Sequence, residues 1–389
     1  MRLYKYLFLL VLGSTASFFG FAQKDTVTHY KIAVFSPVYL DSSFTGDQYK
    51  FGKNNLPKYI LPGLEFYNGM QLAIDSLNAE NASIEVLFYD SKNSRVSLQE
   101  LVNQEEFQSV SLIIASFSSR NEINSLADFA FEKNIPLISS TFPNDGGITA
   151  NPFFVLVNPT INTHIEGIYN YVHKSFPIEN ILLVKRKGNM EDMIQSILIN
   201  RNQKTPGIPL KLKTIELTDS FTTKQVTDNL DSIKKNIIIC GSLNENFSLH
   251  LSKTLSSSKN YPTLLIGMPT WDGIKDIGKG LEIIYSSPYN FSKTDKLILQ
   301  ISEKYRTKYA GRPTEMVLKG YESMFHFSKL LMKHGKGLIN QLSDKEFTLF
   351  NHFDFQPVKV KKENTFPAYL ENKKLYFFRK IDGKIKSVT

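Results

Sequence analysis

One cysteine in 389 residues, Cys240, rules out an intramolecular disulfide, so the fold has to rest on a core large enough to need no staple. Its setting, Asn236-Ile-Ile-Ile-Cys240-Gly241, reads as a buried strand. No basic or metal-ligating residue stands close in sequence, so the thiol is expected to pack rather than react. Tryptophan is equally scarce, with Trp271 alone. Beyond residue 22 no apolar run approaches the roughly 18 residues that a spanning helix needs. The signatures of catalysis are missing as well. There is no G-x-x-x-x-G-K-[ST], no G-x-G-x-x-G after the first strand, no H-E-x-x-H and no G-x-S-x-G elbow. The seven histidines (29, 164, 173, 250, 326, 334 and 352) show no metal-ligand spacing with each other or with Cys240. Two S-x-x-K matches, Ser232 to Lys235 and Ser256 to Lys259, lack companion motifs. Phosphate cradling, metal chemistry and nucleophilic catalysis are thereby excluded as readings, and no cofactor is called for.

The first 22 residues read as a secretory leader. Arg2 and Lys5 precede the apolar run Tyr6 to Leu12, and Gly20-Phe21-Ala22 supplies the small residues that a signal peptidase reads. Residues 1–22 are thus expected to be removed, leaving an exported chain with no membrane insertion. The formal charge of +9 includes Arg2 and Lys5, which leaves +7 for residues 23–389. The densest cluster, Lys359, Lys361 and Lys362, runs straight into Glu363 and has no aromatic-basic companion motif, so no nucleic acid is expected as a partner.

With 42% hydrophobic and 21% charged residues, the chain has a folded protein's composition and the length for two domains. Lys31 to Val38 reads as a first strand, followed by an unusually long loop from Tyr39 to Pro62. Gly63 to Asn78 carries apolar residues at 66, 70, 73, 74 and 77, one stripe of a helix. A strand (Ile84 to Tyr89), a helix (Ser94 to Phe107), a strand (Val110 to Ala115), a helix and a strand (Ile135 to Ser139) continue the alternation. A turn-rich stretch at 143–152 precedes a second β-α series. Its helices span Thr160 to Ser175, Met190 to Asn202, Thr222 to Lys234 and Asn244 to Ser256; its strands span Asn180 to Val184, Leu210 to Leu217, Asn236 to Cys240 and Thr263 to Ile266. One more strand, Leu281 to Tyr285, precedes two long helices, Lys293 to Tyr309 and Thr314 to His334. A strand-rich tail then ends in a hairpin turning at Asp382-Gly383. The pattern predicts an α/β protein of two doubly wound, Rossmann-like lobes joined by three hinge crossings. Lobe 1 is expected over 23–155 plus 288–338, and lobe 2 over 156–287 plus 339–389.

In open α/β sheets, ligands bind outside the carboxyl ends of the strands. The candidate ligand-binding residues follow from that rule. Ser118 and Ser119 stand where a strand turns into a helix whose first N–H groups lack internal partners, a place that suits either an anion or a serine that simply caps the helix. Ser140 and Thr141 end the next strand. In the second lobe, Trp271 follows a strand and reads either as a stacking face for a ligand or as a structural wedge in its loop, and Asn189 follows another. No catalytic or metal-binding residue is called.

The order of elements and several local motifs resemble the type I periplasmic binding proteins, of the branched-chain amino-acid (Leu/Ile/Val) kind used by ABC transporters. The resemblance rests on KIAVFSPV, on Gly69 to Asp75 with Asn78, on Glu85 to Asp90 and on Ile113 to Ser119. It continues through Ile135 to Ser139, Asn151-Pro152-Phe153, Tyr305 with Pro313-Thr314, and Gly320-Tyr321-Glu322, covering residues 30 to 340. It implies a ligand clamped by closure of two lobes, with Ser118 or Ser119 and Ser140 or Thr141 at the α-carboxylate and ammonium groups of an amino acid. The second lobe departs from the pattern, because no Asp or Glu occurs from Met268 to Trp271 and Ser242-Leu243 replaces an expected aromatic. The implied function is a periplasmic solute-binding protein that serves an ABC transporter permease and whose small polar ligand is not a standard free branched-chain amino acid. The alternative is a noncatalytic cell-envelope module on the same fold that binds a cell-wall fragment or regulates an envelope enzyme, with an envelope protein as its partner.

Overall fold

The computed structural model describes residues 29–388 apart from 53–54, 94, 275, 293 and 362, so the expected leader lies outside the described residues. The described residues form sixteen strands, β1 to β16 in chain order. β1 (Tyr30–Ser36), β4 (Ile84–Asp90), β5 (Val110–Ala115), β6 (Leu137–Ser139) and β7 (Phe154–Leu156) form the parallel part of the first sheet. β8 (Asn180–Arg186), β9 (Lys211–Leu217), β10 (Asn236–Cys240), β11 (Thr263–Gly267) and β12 (Glu282–Ser287) form that of the second. In space they run β4-β1-β5-β6-β7 and β9-β8-β10-β11-β12. Each lobe therefore repeats the doubly wound order in which the second strand lies outside the first. β2 (Phe44–Thr45) and β3 (Gln48–Tyr49) make a small hairpin within the long loop after β1.

The tail divides between the lobes. β13 (Phe355–Val358) and β14 (Tyr369–Asn372) extend the first sheet beyond β7, while β15 (Tyr376–Ile381) and β16 (Lys384–Ser387) extend the second beyond β12. The sequence boundary that assigned everything from 339 to lobe 2 thus differs from the pairing, which keeps the chain with the first sheet through Asn372. β13 passed unnoticed in the sequence, since Pro357 lies at its centre and a proline weakens a strand signal.

Among the described residues, seven helices of thirteen residues or more cover the sheets: α1 (Leu61–Ala79), α2 (Arg120–Lys133), α3 (Ile161–Ser175), α4 (Asn189–Lys204), α5 (Glu245–Ser257), α6 (Lys296–Tyr309) and α7 (Glu315–His334). The helix expected over 94–107 is two short ones, Leu98–Val102 and Glu105–Gln108, and the one expected over 222–234 stops at Thr227. Alternation along β1 divides the first lobe's core in two. Ile32 and Val34 face Met70, Met324 and Phe327, whereas Ala33 and Phe35 face Phe107, Ile123 and Leu126.

The chain passes between the sheets three times, at 157–160, 288–295 and 373–375. The first crossing leaves the carboxyl end of β7 and enters α3, which runs back against the second sheet to feed β8. The first two crossings thus join the carboxyl edges of the two sheets, and those edges face each other. Buried polar groups tie the crossings together. The Glu371 carboxylate accepts from Thr160 N–H (2.7 Å), from the hydroxyls of Thr160 and Thr163 (both 2.9 Å) and from Lys373. Glu322 accepts from the N–H groups of Phe350 and Asn351, and Asn351 in turn accepts from Asn290 N–H at the second crossing.

Candidate functional site

The site is the gap between the two carboxyl edges. In lobe 1, β5 and β6 run side by side with Ala115 opposite Ser139, which brings 116–119 and 139–141 together. Thr141 Oγ1 and Ser116 Oγ share a hydrogen bond of 2.9 Å, and the Thr141 carbonyl accepts from Asn158 Nδ2. Ser140 is buried and its Oγ has no hydrogen-bond partner among the described residues, while its carbonyl accepts the Tyr289 hydroxyl at 2.9 Å. Ser119 occupies the cap position of α2 in extended conformation, and its side chain makes no capping bond.

The start of α2 is already filled. Ser118 is exposed, yet both its N–H (2.9 Å) and its hydroxyl (3.0 Å) donate to the carboxylate of Glu122, the third residue of the helix. Glu122 is only 7% exposed and also pairs with Lys92, whose ammonium lies 5.9 Å from the Tyr39 ring centroid. Lobe 2 repeats the device. Glu191, third residue of α4 and 4% exposed, accepts the Ser242 hydroxyl at 2.7 Å with the Arg186 guanidinium 3.8 Å away. Asn189 itself is exposed at the first position of that helix.

Trp271 does not offer a face to the gap: of the two readings that the sequence leaves open, its burial favours the structural wedge over the stacking face. Its side chain is 1% exposed and fills the space above Gly267, where a Cβ would lie 2.1 Å from the indole. A strand-end glycine leaves room for one large side chain, and the only tryptophan takes it. The neighbouring Asp272 is the exposed residue. It accepts the Tyr285 hydroxyl at 2.9 Å and approaches Glu315 of lobe 1. The Glu315 side chain keeps about half its exposure, yet desolvation where the lobes meet and the facing Asp272 hold its carboxyl above the ordinary range, with Lys319 partly offsetting them. Lys319, 3.6 Å from Glu315 and 4.2 Å from the Tyr289 ring centroid, has its own pKa lowered by burial. Glu122, Lys92, Glu315 and Lys319 are not singled out by the sequence, and Glu191, which with Asp192 reads there as a carboxylate pair on a solvated helix face, is buried instead. Only one carried a signal there: Ser119-Arg120-Asn121-Glu122 has the spacing of a capping box.

A cavity of about 260 Å³ lies elsewhere, between α1 and edge strand β4, walled by Val34, Tyr67, Met70 and Phe88. It belongs to the packing of the first lobe and not to the interlobe gap.

Two α/β lobes of this order, joined by three crossings, define the fold of the type I periplasmic binding proteins. Solved structures agree. A branched-chain amino acid ABC transporter periplasmic ligand-binding protein from Burkholderia xenovorans is similar to 93% of this chain and 95% of its own, at TM-score 0.60 and 13% identity. An ABC transporter substrate-binding protein from Desulfitobacterium hafniense in complex with Leu is similar over 93% of this chain and all of its own, at 0.58 and 12%. A branched-chain amino acid transporter substrate-binding protein from Streptococcus pneumoniae in complex with isoleucine covers 92% and 98%, at 0.52 and 14%. At such identities the likeness is one of fold. No family model and no curated protein matches the sequence.

Proposed function

We propose that the chain is an exported, periplasmic solute-binding protein that closes two lobes on a small polar ligand and presents it to an ABC-type permease. The observation that carries this reading is the pair of facing carboxyl edges, each at the switch point of a doubly wound sheet, where such sheets bind ligands. Similar folds hold leucine and isoleucine in solved structures. The ligand here is not a standard free branched-chain amino acid, since the Ser118 donors are engaged by Glu122 and no acidic residue falls between Met268 and Trp271. Ser118, Ser119, Ser140, Thr141 and Asn189 line the proposed site. Of these, the Ser140 hydroxyl is unpaired among the described residues but buried, so it bonds a ligand only if the end of β6 shifts on binding. Binding without chemistry is the activity, in keeping with a sequence that has no nucleophile, base or metal set. The test is thermal unfolding against amino acids, their amides, peptides and sugars. A ligand held by the native state alone raises Tm with its excess over Kd; a full panel without any shift counts against the reading.

One observation favours a second reading, an envelope module that contacts another protein or a cell-wall fragment. The long loop after β1 exposes Leu40, Phe44, Leu56 and Tyr59 beside the cleft rim. Pull-down with peptidoglycan fragments and envelope proteins separates the two readings, because a solute receptor would leave that panel empty while responding to a small molecule.

A further inference from the structure

The two lobes share a feature that the fold does not require. In each doubly wound sheet the crevice opens where the strand order reverses, between β1 and β5 in lobe 1 and between β8 and β10 in lobe 2. Helix α2 leaves the first crevice and α4 the second, so each crevice has free N–H groups and the positive end of a helix, which suits a carboxylate. In both, a carboxylate is already there, supplied by the helix's own third residue. Glu122 takes Ser118 N–H, Ser118 O–H and the Lys92 ammonium. Glu191 bridges the ends of β8 and β10 through Ser242 O–H and stands beside Arg186. Both are more than nine-tenths buried, and each is compensated by donors and a cation, as a buried charge has to be.

The geometry points to Glu122 as a specificity-determining residue: its carboxylate occupies the lobe 1 crevice in place of a ligand's carboxylate and restricts the cleft to solutes that carry none, uncharged or cationic. A carboxylate arriving at Ser118 would meet an engaged N–H, an engaged hydroxyl and a negative charge at contact distance, while the nearest ammonium is already paired. Where the lobes meet, Asp272 and Glu315 stand against Lys319, a cluster that adds no net positive charge to receive an anion.

This inference rests on the solute-binding reading, and its test separates the two. Wild-type protein is titrated with matched sets of free amino acids, N-acetyl amino acids and amino-acid amides, which keep the side chain and change the charge. The expected result is Tm shifts from amides or from neutral probes such as sugars, and none from any probe with a carboxylate. In parallel, Glu122→Ala is unfolded in sodium acetate and in sodium chloride at equal ionic strength. Removing the side chain empties the crevice and frees its donors, so acetate at about 100 mM should raise the variant's Tm by about 2 °C or more above chloride and leave wild type unchanged. The proposal is overturned if a carboxylate probe binds wild type within tenfold of its amide, or if acetate does not stabilise a folded Glu122→Ala. Should that variant fail to fold, Glu122→Ser in acetate replaces it on the same terms, and the wild-type titrations decide independently. If acetate rescues the variant and no probe shifts wild type, the crevice assignment stands and the solute-binding reading falls.

Discussion

Glu322 and His164 are both buried and pull the stability of the molecule in opposite directions as pH changes. Burial raises the Glu322 carboxyl from an ordinary 4.5 to about 7, although three N–H donors favour its charged form. Between those values the native state holds a proton that the unfolded chain has lost, so stability falls as pH rises. Burial lowers His164 from 6.5 to about 3, beside the Ser286 hydroxyl at 3.0 Å. There the unfolded chain binds the extra proton, so stability falls as pH falls. From about pH 4.5 to 6.5 the two slopes oppose one another, each worth up to about 1.4 kcal/mol per pH unit. Relative to wild type, His164→Gln should tilt the stability profile downward with rising pH and Glu322→Gln upward. Denaturant midpoints across that range check it, and parallel profiles would remove the assignment.

Ser140 and Trp271 give sharper single-residue expectations. An unpaired buried hydroxyl costs about 1 to 3 kcal/mol, so Ser140→Ala should leave the ligand-free protein as stable or more stable while weakening whatever ligand satisfies that group. Calorimetric unfolding and a binding isotherm on the same variant test both halves. Trp271, as the sole tryptophan, reports on itself. Being 1% exposed, it should emit blue-shifted fluorescence that acrylamide quenches poorly and that ligand leaves unaltered. A red-shifted, readily quenched emission would return it to the cleft.

At the scale of elements, α1 and α7 pack as a parallel pair through glycine. A Cβ on Gly69 would lie 2.0 Å from the Val317 carbonyl oxygen, and one on Gly320 would lie 2.1 Å from that of Phe66. The helices approach to backbone contact, with Glu65 meeting Thr314 at one end and Glu80 meeting Lys329 at the other. Either glycine changed to alanine should cost about 2 kcal/mol or more, because rigid backbone and not a mobile side chain has to yield. Urea unfolding of Gly69→Ala and Gly320→Ala measures it. The C-terminal hairpin shows how far local chemistry alone reaches. Asp382 and Gly383 both adopt positive φ, at 47° and 77°, as the two-residue turn read from the sequence demands.

At the scale of the whole molecule, the two lobes touch through Asp272 and Glu315. With the lobes together, desolvation and the facing Asp272 raise the Glu315 pKa, partly offset by Lys319; with the lobes apart, it returns toward the ordinary carboxylate range. The open form therefore binds fewer protons, and raising pH above that range favours opening. Small-angle scattering should show the radius of gyration growing with pH, and Glu315→Gln, which keeps a neutral partner for Asp272, should stay compact. Equal pH responses in the variant and wild type would rule this pair out as the cause.

Alternating apolar runs and helical stripes determined the β-α order, the doubling of the lobe and the three crossings, because those patterns depend on neighbours within a few turns or strands. The class of fold followed from that order. Tertiary structure alone decided what the polar residues do. Whether Ser118 is free or engaged depends on Glu122 four residues on and Lys92 twenty-six back, and whether Trp271 faces water depends on the missing Cβ of Gly267. Likewise, the tail divides at Asn372 because β14 pairs with β7, more than two hundred residues away in sequence. A local pattern records which face of an element is buried, but the partner that consumes a donor or covers a ring arrives only with the long-range packing.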